Sequence, residues 1–170
     1  METAITALLV FGVMILAILG LSDRALSAQA AWTDASVALQ QREGERLRTM
    51  LSPTNAVVDP TGTVLQVTLK NTGATRLTDF DRWDAIVEYA DEVAPHVEWL
   101  PYGSDANQWS AEIYQDAAAS APEVFDPGLL NPSEDLVVTI TLAPSIAAGT
   151  TNRFTLVTAN GVAAAITFTH

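Results

Sequence analysis

Few side chains in this sequence are equipped for chemistry. It has no cysteine, two histidines (His96 and His170) and one lysine, Lys70. A disulfide framework, a thiolate metal site and a cysteine nucleophile are therefore excluded, and a zinc site has few possible ligands. There is no Gly-rich phosphate loop and no G-x-S-x-G elbow. A nucleophile–base pair has almost no candidate members. His96, among Pro95, Val97 and Trp99, reads as a half-exposed strand residue, and His170 ends the sequence. Carboxylates are the plentiful group. Asp79, Asp81, Asp84 and Glu88 fall close together, and the Asp-x-Asp-x-x-Asp spacing could offer hard oxygen ligands to Ca²⁺. The stretch lacks the central Gly and terminal Glu of an EF-hand loop, and Arg82 supplies a local counter-charge. It reads as a solvated acidic loop. The expectation is a protein with no catalytic, cofactor-binding or metal-binding residues, no cofactor and no enzymatic activity.

Charge narrows the partners. The 170 residues contain 8 Lys+Arg and 20 Asp+Glu, a formal charge of −12. No basic patch can be assembled from that inventory, so binding to nucleic acid through phosphate neutralisation is not expected. Anionic membrane surfaces are poor partners for the folded part. The charge is also unevenly placed. Residues 1–58 hold five acids and four bases, whereas residues 59–170 hold fifteen acids and four bases, a balance of −11.

Thr3–Ser22 contains no charged residue. As a helix it would run about 30 Å, the thickness of a bilayer core, with no polar face. It must lie in lipid or against copies of itself. A secretory signal would need a basic start, which Met-Glu-Thr does not provide, although Ala28-Gln29-Ala30 imitates a cleavage site. The first base, Arg24, follows the apolar run; alone it would place the rest of the chain in the cytoplasm. The preferred alternative is a basic leader that preceded Met1 and was removed. The helical pattern continues through residues 23–51, with Leu26, Ala30, Thr33, Val37, Gly44, Leu47 and Leu51 at spacings of three and four once Gln40 or Gln41 fills the gap, and Trp32, Ala35 and Leu39 widening the stripe. Glu43–Arg46 and Glu45–Arg48 form i, i+3 pairs, and Ser52-Pro53 is expected to stop the helix. The first division is therefore residues 1–52, apolar over 3–22 and amphipathic over 23–51.

From residue 54 the period becomes two. Alternation marks strands at Val64–Lys70, Asp84–Ala90, His96–Leu100 and Trp109–Tyr114. Val97 and Trp99 share a face of the third. Residues 115–134 read as a long loop. Leu136–Leu142, Phe154–Leu156 and Val162–Phe168 complete the set, with Asn160-Gly161 as a two-residue hairpin signal. Seven or more short strands predict an immunoglobulin-like β-sandwich over 54–170. The fold class is α+β: a long hydrophobic N-terminal α-helix followed by an all-β sandwich.

This arrangement resembles the type IV pilin-like archaellum filament subunits, the archaellins. Val67-Thr-Leu-Lys-Asn-Thr-Gly73 followed by Leu77-Thr-Asp-Phe-Asp is similar to the sandwich of archaellum proteins, both filament subunits and stator-type components. The resemblance implies a leader cut by a prepilin-type peptidase and insertion in the membrane before assembly. It also implies an extracellular helical filament of many copies, used for motility and built with the help of membrane motor and platform proteins. The filament core would be packed by Ile5, Leu8, Leu9, Phe11, Gly12, Val13, Ile15, Leu16, Ile18 and Leu19. Two departures stand out. Ile5 occupies the position where bacterial type IV pilins usually carry Glu, and no N-x-[S/T] sequon is present. The alternative is a membrane-anchored β-sandwich binding protein, such as an archaellum stator component contacting the cell-surface layer.

Overall fold

From Glu2 to Arg48 the chain forms one helix, α1. No proline interrupts it, and alanine and leucine, both strong helix formers, dominate its composition. The computed structural model describes residues 2–170, apart from the side chains of residues 2–6, 17–19, 21–23 and 25. The chain divides into two compact units, Met1–Glu43 and Gly44–His170. In the first, every residue whose side chain is described is exposed. Its polar side chains bond locally, as in Thr33 Oγ1 to Gln29 O at 3.0 Å and Ser36 Oγ to Trp32 O at 2.8 Å. The expected Glu43–Arg46 and Glu45–Arg48 ion pairs are not formed. Arg48 Nε donates to the Gly44 carbonyl instead, at 3.1 Å. An exposed i, i+3 pair contributes only a few tenths of a kcal/mol, roughly, so a backbone carbonyl near the helix end competes with it easily.

The helix stops at Arg48, short of the expected Leu51. Leu51 opens strand β1 (Leu51–Val58), and Pro53 lies inside that strand. β1 is an edge strand with a register shift between Pro53 and Asn55, where a missing N–H is tolerated. The sandwich continues with β2 (Val64–Asn71), β3 (Asp84–Ala90), β4 (Pro95–Leu100), β5 (Gln108–Asp116), β6 (Ala121–Pro122), β7 (Asp135–Thr141), β8 (Thr151–Val157) and β9 (Ala163–Thr169). One sheet has the order β1-β2-β7-β5-β6 and the other β4-β3-β8-β9. Neighbouring strands in both run antiparallel.

Alternation places the core between the sheets. Leu65, Val67 and Leu69 of β2 pair with Ile140, Val138 and Leu136 of β7, and all six are fully buried. Ala85, Val87 and Tyr89 of β3 face them from the other sheet with Phe154 and Leu156 of β8. Two expectations are corrected, and the structure sets which face of β4 is wet. Val97 and Trp99 point outward and are exposed, while Leu100 is the buried residue of β4. The β8–β9 connection is wider than two residues, because the nearly buried Thr158 hydroxyl accepts the Val162 N–H at 3.0 Å and sets a five-residue loop. Gly161 sits at φ +81 in it, a conformation that suits glycine. The long loop also holds the two-residue strand β6, paired with β5.

Candidate functional site

The residues expected to pack a filament core lie on the first unit. Leu8, Leu9, Phe11, Val13, Ile15 and Leu16 are all exposed, from 44% for Ile15 to 78% for Leu8. No atom lies within 4 Å of where a Cβ on Gly12 would stand. The side chains of Ile5, Ile18 and Leu19 lie outside the described residues. Each large apolar side chain left in water forgoes roughly 1.5–3 kcal/mol of burial. Six of them exposed within nine residues make an apolar surface that calls for cover. Among the described residues, no helix is long and apolar enough to cross a membrane.

The end of α1 is held by an anchor in the second unit that sequence reasoning saw only as a turn. A helix leaves its last carbonyls without intrahelical partners. Here the Ala74 N–H donates to Arg48 O at 2.8 Å. The Thr72 and Gly73 N–H groups both reach Met50 O, at 2.9 and 3.1 Å. Thr49 donates its hydroxyl to Glu45 O at 2.8 Å and its N–H to Arg46 O at 3.2 Å. The Asn160 amide then donates to the Thr49 hydroxyl at 2.7 Å.

Asn71 organises this anchor from below. It is fully buried. Its Nδ2 donates to Thr75 O at 2.9 Å and Leu130 O at 3.2 Å, and its Oδ1 accepts the Gly73 N–H at 3.1 Å. Both amide donors and the acceptor are used. Gly73 has no room for a side chain: a Cβ there would stand 2.4 Å from Arg48 O and 2.5 Å from Met50 N. The Asn71-Thr72-Gly73 run that carries the archaellum resemblance is thus the socket for the helix end. Its sequence signal was a glycine directly after a strand and an Asn-Thr turn.

The acidic stretch is not gathered into a site. Asp79, at φ 55, precedes the 3-10 turn Phe80–Arg82, and Asp84 Oδ1 accepts the Trp99 indole N–H at 2.8 Å. Among the described residues, no group of three or more His, Asp or Glu side chains could hold a metal ion. His96 is half-buried as expected, but it has partners that the sequence did not announce. Its ring stacks on Tyr89 with centroids 5.0 Å apart, and Nε2 lies 3.0 Å from Asp91 Oδ2. Burial, and next the Glu98 carboxylate, push the Tyr89 hydroxyl up to about 12.

The archaeal-type flagellin family matches residues 2–168, nearly the whole chain. The chain belongs to the archaeal-type flagellin family. Solved structures agree in fold. The archaeal flagellum of Methanospirillum hungatei strain JF1 is similar at a TM-score of 0.64 and 16% identity, over 97% of this chain and 92% of that one. The archaellum periplasmic stator protein FlaG from Sulfolobus acidocaldarius is similar at 0.54 and 16% identity, over 71% of this chain and 99% of that one. The stator complex of FlaF and FlaG from the same organism gives 0.52 and 15% identity, over 69% and 87%. No curated protein matches by sequence.

Proposed function

We propose that the chain is a structural subunit of an extracellular, archaellum-like helical filament, assembled through its N-terminal helices and without a catalytic role. The family match across residues 2–168 carries this reading. Coverage supports it: the likeness to the Methanospirillum filament takes in 97% of the chain, whereas the likeness to the stator protein takes in 71%. The physical argument is independent. An apolar helix out of lipid needs an apolar environment, and identical helices supply one. Head-to-tail contacts that do not close give a filament. Before assembly the helix resides in the membrane, and a motor and platform there drive export and rotation.

A second reading is a membrane-anchored binding protein of stator type. It is favoured by the match to 99% of the stator chain. Fractionation with quantitative mass spectrometry separates the two. The filament reading expects the chain as the dominant protein of sheared surface fibres, in thousands of copies per cell. A few copies per cell, retained in the membrane fraction, would favour the second reading instead.

A further inference from the structure

Among the described residues, two exposed surfaces outside the filament-core residues and the socket complement each other. One is on α1. Trp32 and Leu39 are exposed. At about 100° per residue they share an arc of about 80° with Ala35, Arg42 and Arg46. Neither of these arginines has an ion-pair partner among the described residues, where the pairs are Lys70–Asp135, His96–Asp91 and His96–Glu98. Glu43 borders the arc, yet residues 42–48 still hold three arginines against two glutamates, a positive stretch in an acidic chain.

The other surface is the free edge of the β4-β3-β8-β9 sheet. Val97 and Trp99 stand outward on β4, 74% and 59% exposed. Trp99 lies opposite Ile86, and its indole N–H is tied to Asp84. The ring is therefore held in place before any partner arrives, which lowers the ordering cost of an interface. A fixed, exposed tryptophan is a typical interface anchor. Asp84–Leu100 carries five carboxylates and no Lys or Arg. Arg153 lies opposite Glu88 on β8 and offsets only one of them.

We propose that the Trp32–Leu39–Arg42–Arg46 face of α1 in one copy docks on the β3–β4 edge of another copy. Trp99 and Val97 are the apolar anchors, and Asp84 and Glu88 face the arginines. The proposal rests on the filament reading. The occupant is a second copy because each surface has its complement, in charge and in apolar character, on this same chain. The dimensions also agree. Trp32 to Arg46 spans about 21 Å along a helix, and a six-residue strand spans about 20 Å. Two different patches meeting head to tail propagate without closing, as a filament demands. The contact would also cover an apolar sheet edge that is otherwise an aggregation hazard.

The absence of cysteine makes the test clean. Leu39→Cys and Val97→Cys are placed together in the full chain, filaments are assembled, and mild oxidation is followed by denaturing electrophoresis. The expected result is a ladder of covalent multimers from the double variant and none from either single variant. Filaments without a ladder, or a cross-link confined to the monomer, overturn the docking while leaving the filament reading intact. A wild-type chain that forms no filament overturns both. If the cysteines impair assembly, charge reversal decides. Arg46→Glu should raise the critical concentration about tenfold, and adding Glu88→Arg should restore it; no restoration overturns the proposal.

Discussion

Gly73 has no freedom to carry a side chain. Any side chain there meets the backbone of Arg48 and Met50 rather than a movable group. Gly73→Val should cost about 2–3 kcal/mol, the range of a forced overpacking, read as a shift in the denaturation midpoint of the detergent-solubilised chain. Asn71→Leu should cost about 1–3 kcal/mol, because it removes the partner of the Thr75 carbonyl and one of the two bonds at the Gly73 N–H and at the Leu130 carbonyl. If either variant melts like the wild type, the socket is not what fixes the helix end. Acid sensitivity also belongs to single residues. The Thr61 hydroxyl, then the Val64 N–H and other turn N–H groups, lower the Asp59 carboxyl from 3.8 to about 2. Its folded value is depressed, so its contribution is complete above pH 4, roughly, and fades as pH falls through about 2. Asp59→Asn should melt lower than wild type at neutral pH, and the gap should close as pH drops across that window. The Ala94 N–H first, then the Val93 N–H and His96, lower Asp91 as well. The β3–β4 loop should therefore loosen at the acid end too.

At the scale of elements, α1 carries a removable weakness. Gly44 lies in its last turns, with nothing within 4 Å of the point where an alanine methyl would stand. Gly44→Ala should raise helix stability by up to about 1 kcal/mol, seen by circular dichroism as a higher melting temperature. A lower one would mean the glycine serves a close approach in the assembled state. Much of the fold was readable here. β3 runs over Asp84–Ala90 as its alternation predicts, and Leu136, Val138 and Ile140 all face the core. β1 was not readable, since Pro53 and the bulge beside it break the period that marks a strand. The outward turn of Trp99 was hidden for another reason. Alternation fixes which residues share a face but not which face is wet, and an edge strand with an apolar exterior defeats the usual choice. The site was legible in part. The uncharged run Thr3–Ser22 is plain in the sequence. The socket was not, because its bonds join Arg48–Met50 to residues over twenty positions away and to Asn160.

At the scale of the whole molecule, charge and apolar surface are separated along the chain. The acidic balance of −11 falls on residues 59–170, and the uncharged helix opens the sequence. Identical acidic sandwiches repel one another, and salt screens that repulsion over a length falling from about 30 Å at 0.01 M to about 3 Å at 1 M. The critical concentration for assembly should therefore fall as sodium chloride rises, measured by sedimentation. A rise with salt would mean that the local arginine–carboxylate contacts outweigh the global repulsion. The central claim is that exposed apolar residues of α1 bury against copies of themselves. Electron microscopy of fibres from cells expressing Leu16→Asp, beside Leu16→Ala as a size control, tests it most directly. A buried charge costs several kcal/mol per subunit, roughly, and the cost repeats in every copy. The account predicts no filaments with Leu16→Asp and filaments with Leu16→Ala. Fibres of normal number and length from Leu16→Asp would contradict it.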